Sequence, residues 1–247
     1  MKLLKVAAYQ APLLPAGSMA AALALIQTAL VECEQASVQI LCCPEAILGG
    51  LADDHDAPSE IALGVETGEL ARVLSPLSTS KVTLIIGFTE HGPNETWFNS
   101  AAVVEGGEVL GIYRKCHPAI RTSVYSAGTE LPIFTGHEVP FGIVICNDAN
   151  YPELSREYRE RGAAALFMPL NNRLRPQVAD ACRARTRQNL IDRASRNGVP
   201  VISADVAGRD EGRISYGATA IVAANGSVVA EAAPFVEGLI MAEIAIA

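Results

Sequence analysis

The chain is short of aromatic rings, of charge and of lysine. Phe, Trp and Tyr make up 5% of its 247 residues, and Asp, Glu, Lys and Arg together make up 19%. The only lysines are Lys2, Lys5, Lys81 and Lys115. Half of the residues (50%) are apolar, which with so little charge excludes an intrinsically disordered chain. The net charge of −8 leaves no basic excess, so a general nucleic-acid-binding face is excluded as well. No apolar run is long: the longest, 19–26 resuming after Gln27 to Val31, falls short of the ~20 residues that cross a bilayer, although the mean hydropathy is +0.25. Lys2 and Lys5 ahead of apolar residues faintly resemble a signal peptide. Tyr9-Gln10-Ala11-Pro12 breaks that run early, and the expectation is a cytoplasmic protein with no membrane partner. The six cysteines, Cys33, Cys42, Cys43, Cys116, Cys146 and Cys182, include no CxxC pair, so neither a disulfide framework nor a zinc site is expected. Most of them read as reduced, small core residues.

What is abundant is Ala, Val, Leu and Ile, and a core of small aliphatic side chains fits parallel or mixed sheets covered by helices. The chain opens strand (3–10), helix (18–35, with Ser18 as a possible N-cap) and strand (38–43), which points to an α/β class. A helix over 68–80 and a strand over 82–89 follow. Strands 97–105 and 108–113 are joined by the hairpin signal Gly106-Gly107. Residues 115–131 have no period and read as a long loop. Then come strand 141–145, helix 151–161 closed by Gly162, strand 163–168, helix 178–197 closed by Gly198, and strand 199–204. A hairpin of 216–223 with 227–231 about Asn225-Gly226, and a strand 239–246, end the chain. No repeat or low-complexity linker occurs, so one domain over 1–247 is expected, with mixed sheets that could be stacked in two layers under outer helices. Seven arginines fall between Arg173 and Arg196 against two acids, Asp180 and Asp192. That stretch is either a solvated, salt-bridged helix face or a face for carboxylates or a second subunit.

Three places at strand ends carry candidate chemistry. In 141–153 a strand runs into Cys146, then Asn147-Asp148, then a helix opened by Pro152 and Glu153. A cysteine there lies near the positive end of a helix, which favours its thiolate, and the surrounding N–H groups could hold an oxyanion. The plainer alternative is that Cys146 ends a core strand. Glu45 follows the strand ending at Cys43-Pro44. It is either an exposed loop residue or a partly desolvated carboxylate with its pKa raised toward that of a general base. Lys115 stands where a strand meets the long loop, either as a surface lysine or as a cation for developing negative charge. Together the three supply a base, a cation and a nucleophile at the strand ends where α/β proteins gather ligand sites.

The order Glu45, Lys115, Cys146 resembles the Glu-Lys-Cys triad of the nitrilase superfamily, the carbon-nitrogen hydrolases. Pro44-Glu45, Tyr113-Arg114-Lys115-Cys116-His117 and Ile145-Cys146-Asn147-Asp148 with Tyr151-Pro152-Glu153 are similar to its three motifs. Pro169-Leu170-Asn171, Arg193-Ala194 to Asn197, and Tyr216-Gly217-Ala218-Thr219 extend the likeness over nearly the whole chain. The resemblance implies a four-layer αββα sandwich of two stacked mixed sheets, pairing through outer helices into a homodimer or higher oligomer. It implies no metal and no organic cofactor. It also implies a thiol amidohydrolase acting on a small amide or N-carbamoyl compound. Glu45 would take the Cys146 proton, the thiolate would form an acyl-enzyme, and Lys115 with the Asn147 N–H would hold the oxyanion. Asn147, Tyr151, Asn171, Arg121 and Glu130 are the expected substrate-binding residues.

The chain departs from the family where a second Glu usually stands between the Lys and the Cys. Here 121–128 carries no acid, Glu130 is the nearest carboxylate, and Arg121 could bind a substrate carboxylate instead. Arg196 and Asp205 stand where an acid and an Asn are usual. The missing Glu motivates a rival reading, a catalytically weak family member that binds a ligand or partner. A thiol redox protein built on Cys116 and Cys146 is a third.

Overall fold

The computed structural model describes residues 2–54, 57–119, 122–210 and 212–246. In chain order it contains β1 (Lys2–Pro12), α1 (Met19–Gln35), β2 (Ile40–Cys42), β3 (Leu63–Gly64), α2 (Glu69–Leu74), β4 (Thr83–His91), β5 (Trp97–Glu105) and β6 (Glu108–Arg114). After a long loop come β7 (Phe134–Gly136), β8 (Val139–Ile143), α3 (Pro152–Glu160), β9 (Ala165–Pro169), α4 (Pro176–Asn197), β10 (Val201–Ala204), β11 (Val206–Asp210), β12 (Arg213–Tyr216), β13 (Ala220–Val222), β14 (Val228–Glu231) and β15 (Gly238–Ile246).

The strands form two sheets. One runs β12-β11-β1-β2-β4-β5-β6, with β15 beside β1 and β3 beside β4; the other runs β14-β13-β10-β9-β8-β7. Each has a parallel centre, β1-β2-β4 in the first and β8-β9-β10 in the second; β15 and β5 flank the first and β13 and β7 the second in antiparallel, while β11 joins β1 and β3 joins β4 in parallel. The period of two along a strand separates the layers. Leu4, Val6, Ala8, Ile40, Cys42 and Ile85 face the second sheet, where Phe141, Ile143, Phe167 and Val201 meet them. The intervening Ala7, Tyr9, Leu41, Cys43, Leu84 and Ile86 pack instead with α1 and α2. In α1 the buried Ala22, Ile26, Ala29, Leu30 and Cys33 fall on one helical face. On the far side Leu154 and Tyr158 of α3 and Leu190 and Ala194 of α4 join the core of the second sheet. Helices, sheet, sheet, helices: strands buried on both faces explain the near-continuous apolar runs, and each fully buried Leu, Ile or Phe contributes roughly 1.5–3 kcal/mol.

Several sequence expectations are corrected. The strand expected over 216–223 is two strands in different sheets, split at Gly217. That residue has a φ of +77°, and a Cβ there would lie 2.1 Å from the buried Gln10 side chain. The helix expected over 68–80 stops at Leu74 and continues as a 3-10 turn, Ser75–Leu77, because Pro76 lacks the N–H to propagate it. Ser18 makes no capping hydrogen bond. The short strands β3, β7 and β11 escaped the sequence reading, since their pairing depends on distant partners; β11, for example, joins β1 through Ala11 and Val206. The Gly106-Gly107 hairpin is present with both φ values positive, and Gly198 closes α4 in the left-handed conformation.

Candidate active site

Glu45 lies just beyond β2, 2% exposed. Its loop is seated on β4: a Cβ at Gly87 would come within 2.4 Å of the Ala46 nitrogen and 2.5 Å of the Pro44 carbonyl. Only glycine lets the two backbones approach this closely. The loop also bridges the sheets. The Glu45 N–H donates to the Leu170 carbonyl at 3.1 Å, and Asn171 Nδ2 donates to the Glu45 carbonyl at 3.0 Å.

Lys115 follows β6 and is 3% exposed. Its Nζ donates to Glu45 Oε1 at 2.6 Å. Burial by itself would lower the lysine pKa; the carboxylate of Glu45, followed by Cys146, outweighs it, so the ammonium is held above its ordinary range. The same Glu45 oxygen accepts Asn99 Nδ2 at 2.7 Å, while the Asn99 carbonyl accepts the Lys115 N–H at 2.8 Å. Sequence reasoning missed Asn99. Its position on the inner face of β5, in register with Thr89 of β4, was visible only once the sheet was assembled. Next to Lys115, Arg114 makes a bidentate pair with the buried Glu90, at 2.6 and 2.9 Å, which anchors the end of β6.

Cys146 opens a five-residue 3-10 turn, Cys146–Asn150, with a φ of +45°. A positive φ at a residue with a Cβ is uncommon and points the cysteine away from the strand path. The turn is held by Asp148, which is fully buried and accepts the Tyr113 hydroxyl (2.8 Å), the His117 N–H (2.8 Å) and the Ile145 N–H (3.2 Å). Burial first, and then the Glu45 carboxylate, push the Cys146 thiol well above its ordinary range, against the pull of the Lys115 ammonium and the Asn171 N–H. Burial and the Glu45 charge thus oppose the thiolate that a helix end was expected to favour, and the turn itself is too short to carry a macrodipole.

Glu45, Lys115, Cys146, Asn147, Asn171 and Asn99 line one cleft of about 600 Å³. Asn147 Nδ2 donates to the His117 carbonyl at 3.2 Å, and its Oδ1 accepts from Asn150 at 2.9 Å. Tyr151 does not line the cleft; its ring stacks on His117 at 3.6 Å. Glu130 is exposed and also outside it. Arg121 lies outside the described residues. A carboxylate that sequence reasoning did not single out, Asp53, does line the cleft, held by the Ser123 hydroxyl (2.8 Å) and the Val124 N–H (2.8 Å). Cys116 and Cys146 are both free thiols. Among the described residues no cluster of His, Cys, Asp and Glu is arranged to hold a metal, and no helix is long and apolar enough to cross a membrane.

Residues 5–247 match the family model for carbon-nitrogen hydrolases, so the chain belongs to that family, the nitrilase superfamily. Hydrolysis of amide-type carbon–nitrogen bonds is the general chemistry this supports. Among curated proteins the chain is 27% identical over 198 residues to a probable nitrilase of Schizosaccharomyces pombe, covering 78% of this chain and 70% of that one. Among solved structures, a variant of the amidase from Nesterenkonia sp. AN1, showing covalent addition of the acetamide moiety of fluoroacetamide at the active site cysteine, superimposes with a TM-score of 0.82. That match is at 18% identity and covers 97% of this chain and 89% of that one. The glutamine-dependent NAD+ synthetase of Acinetobacter baumannii is similar in fold over 98% of this chain (TM-score 0.83, 19% identity), but this chain spans only 45% of its length.

Proposed function

We propose that the chain, as one domain over residues 1–247, is a thiol amidohydrolase that cleaves the C–N bond of a small amide or N-carbamoyl compound through a Cys146 acyl-enzyme. The observation that carries this reading is the buried 2.6 Å contact between Glu45 Oε1 and Lys115 Nζ in the cleft that Cys146 also lines. Glu45 takes the proton from Cys146 Sγ, which its own charge and burial otherwise hold in place. The sulfur attacks the amide carbon, and the negative charge that gathers on the carbonyl oxygen is met by the Lys115 ammonium and the Asn147 backbone N–H. Glu45 returns its proton to the departing nitrogen as the C–N bond breaks. It then draws one from water, whose oxygen displaces sulfur and completes the carboxylic acid. Asn99 Oδ1 and Asn171 Oδ1, both lining the cleft, are buried without a hydrogen-bond partner among the described residues, a costly state that the N–H groups of an amide would relieve. A reducing compartment such as the cytoplasm suits a mechanism that needs Cys146 as a thiol. Pairing of copies through the outer helices belongs to the same reading; size-exclusion chromatography with light scattering tests it.

The chemical test is ammonia release from a panel of small amides and N-carbamoyl compounds. Turnover that Cys146→Ala abolishes supports the reading. No release from any of them, with Cys146 shown to be reduced, favours a ligand-binding member of the family that has lost its turnover.

A further inference from the structure

One wall of the cleft is a single face of α4. Val178, Cys182, Arg185 and Asn189 line it at spacings of four, three and four residues, and Arg175 stands at the start of the same helix. With Arg173 and Arg213 across from this face, the cleft gathers four arginines although the chain as a whole carries −8. Its carboxylates among the described residues are two. Glu45 is matched by Lys115 at the catalytic end, and Asp53 is held by Ser123 and Val124. Arg173 pairs with Asp210 at 2.5 Å. Arg175 and Arg185 are different: neither meets a carboxylate among the described residues, and Arg185 donates only to Cys182 Sγ at 3.3 Å. Elsewhere on the helix Arg187 pairs with Glu231, Arg196 pairs with Asp192, Arg183 lies over the Tyr216 ring at 5.0 Å, and Arg193 is buried. Arg175 and Arg185 are thus exposed cations of the cleft that no carboxylate among the described residues meets.

We infer that Arg175 and Arg185 select substrates whose end remote from the cleaved bond is a carboxylate, such as the monoamide of a small dicarboxylic acid. This rests on the amidohydrolase reading and names its substrate class. The planar guanidinium matches a carboxylate in two parallel hydrogen bonds, and two arginines one helix face apart fix the far end of the substrate while its amide lies at Cys146. The reaction is monoamide plus water giving dicarboxylate plus ammonia, so the product carries the recognised group as well.

The test compares succinic acid monoamide with butanamide, which has the same number of carbons and ends in a methyl group. The expected ratio of kcat/KM favours the monoamide by about 10- to 100-fold, the range of hydrogen bonds to a charged group. In the Arg175→Gln/Arg185→Gln double variant the ratio falls toward one, mainly through KM for the monoamide. Arg187→Gln, on the outward face, leaves the ratio as it is. Added salt shrinks the preference, since the arginines are exposed. Succinate titrated calorimetrically into the wild type and the double variant reads the site without turnover. Tenfold weaker binding in the variant supports the arginine site even if no amide is hydrolysed, an outcome that would remove the amidohydrolase reading alone. Equal rates on the two amides together with no succinate binding overturn the inference and leave the amidohydrolase reading standing. A double variant that changes oligomeric size but keeps the ratio also overturns it, and assigns the face to contact between copies of the chain.

Discussion

The hydroxyl of Tyr113 donates to Asp148 Oδ2 at 2.8 Å, and this bond ties the strand that delivers Lys115 to the turn that delivers Cys146. Tyr113 lies two residues before Lys115 and Asp148 two residues after Cys146. Burial, and next the Asp148 carboxylate, hold the Tyr113 phenol well above its ordinary range, so it stays a donor at any working pH. The placement of Lys115 relative to Cys146 is therefore tied to a pair of residues that makes no hydrogen bond to the Glu45 carboxylate.

Asp148→Ala is expected to strand the Tyr113 hydroxyl and the backbone N–H groups of His117 and Ile145. Each unsatisfied buried donor costs about 1–3 kcal/mol, so the expected destabilisation by urea unfolding is about 3 kcal/mol or more, with activity lost. A change under about 1 kcal/mol would show that the turn is held by something else.

Asn99→Ala removes one of the two donors to Glu45 Oε1 and leaves Lys115 in place. The carboxylate is then held by Lys115 alone on that oxygen and is less firmly oriented, so kcat should fall about tenfold or more with a smaller change in KM. An unchanged kcat would separate Asn99 from the positioning of Glu45.

Asp205 stands where the family usually has Asn, and its surroundings explain the acid. Oδ1 accepts the N–H groups of Asn172 and Val206, and Oδ2 accepts Asn172 Nδ2 and the Ala218 N–H. All four partners are donors, and burial raises the Asp205 pKa against them. Asp205→Asn turns an NH2 toward N–H groups and should cost about 1–3 kcal/mol. Because the Asp205 charge also raises the Cys146 thiol pKa, the variant should react faster with iodoacetamide at pH 8. Slower or equal alkylation would remove that coupling.

Buried thiols make stability depend on pH. Burial raises Cys33 to about 12, and raises Cys42, Cys43 and Cys116 as well. With the folded pKa above that of the unfolded chain, the folded state holds protons that the unfolded state releases above about pH 8.5. The stabilisation is complete below that pH and is lost as pH rises toward the folded values. The Tm should therefore fall steadily from pH 8 to 10. Cys42→Ala, although less stable overall, should show a shallower fall; an identical slope would place the titration elsewhere.

Sequence reading went furthest where local chemistry decides. Gly106-Gly107 and Gly198 mark a turn and a helix end because only a positive φ continues the chain there. Glu45, Lys115 and Cys146 were legible because each follows an apolar strand at once, and all three line one cleft. Reading failed where partners come from far along the chain. Asn99 and Asp53 look like ordinary residues of a strand and a loop. They gain a role from β5 lying over Glu45 and from the 122–128 segment crossing Asp53. Tyr151 failed for the opposite reason: its motif placed it near the cysteine, but stacking on His117 satisfies the ring away from the cleft.

The sequence by itself determined the α/β layering and which polar groups stand at the strand ends, because apolar periodicity and strand-end chemistry act over a few residues. The surroundings of the Cys146 thiol, the split of 216–223 between two sheets and the arginines lining the cleft were decided only by the tertiary structure. Desolvation, charge proximity and strand pairing are properties of groups brought together through space: Glu45 after β2 and Lys115 after β6 meet only when β4 and β5 are paired between those strands.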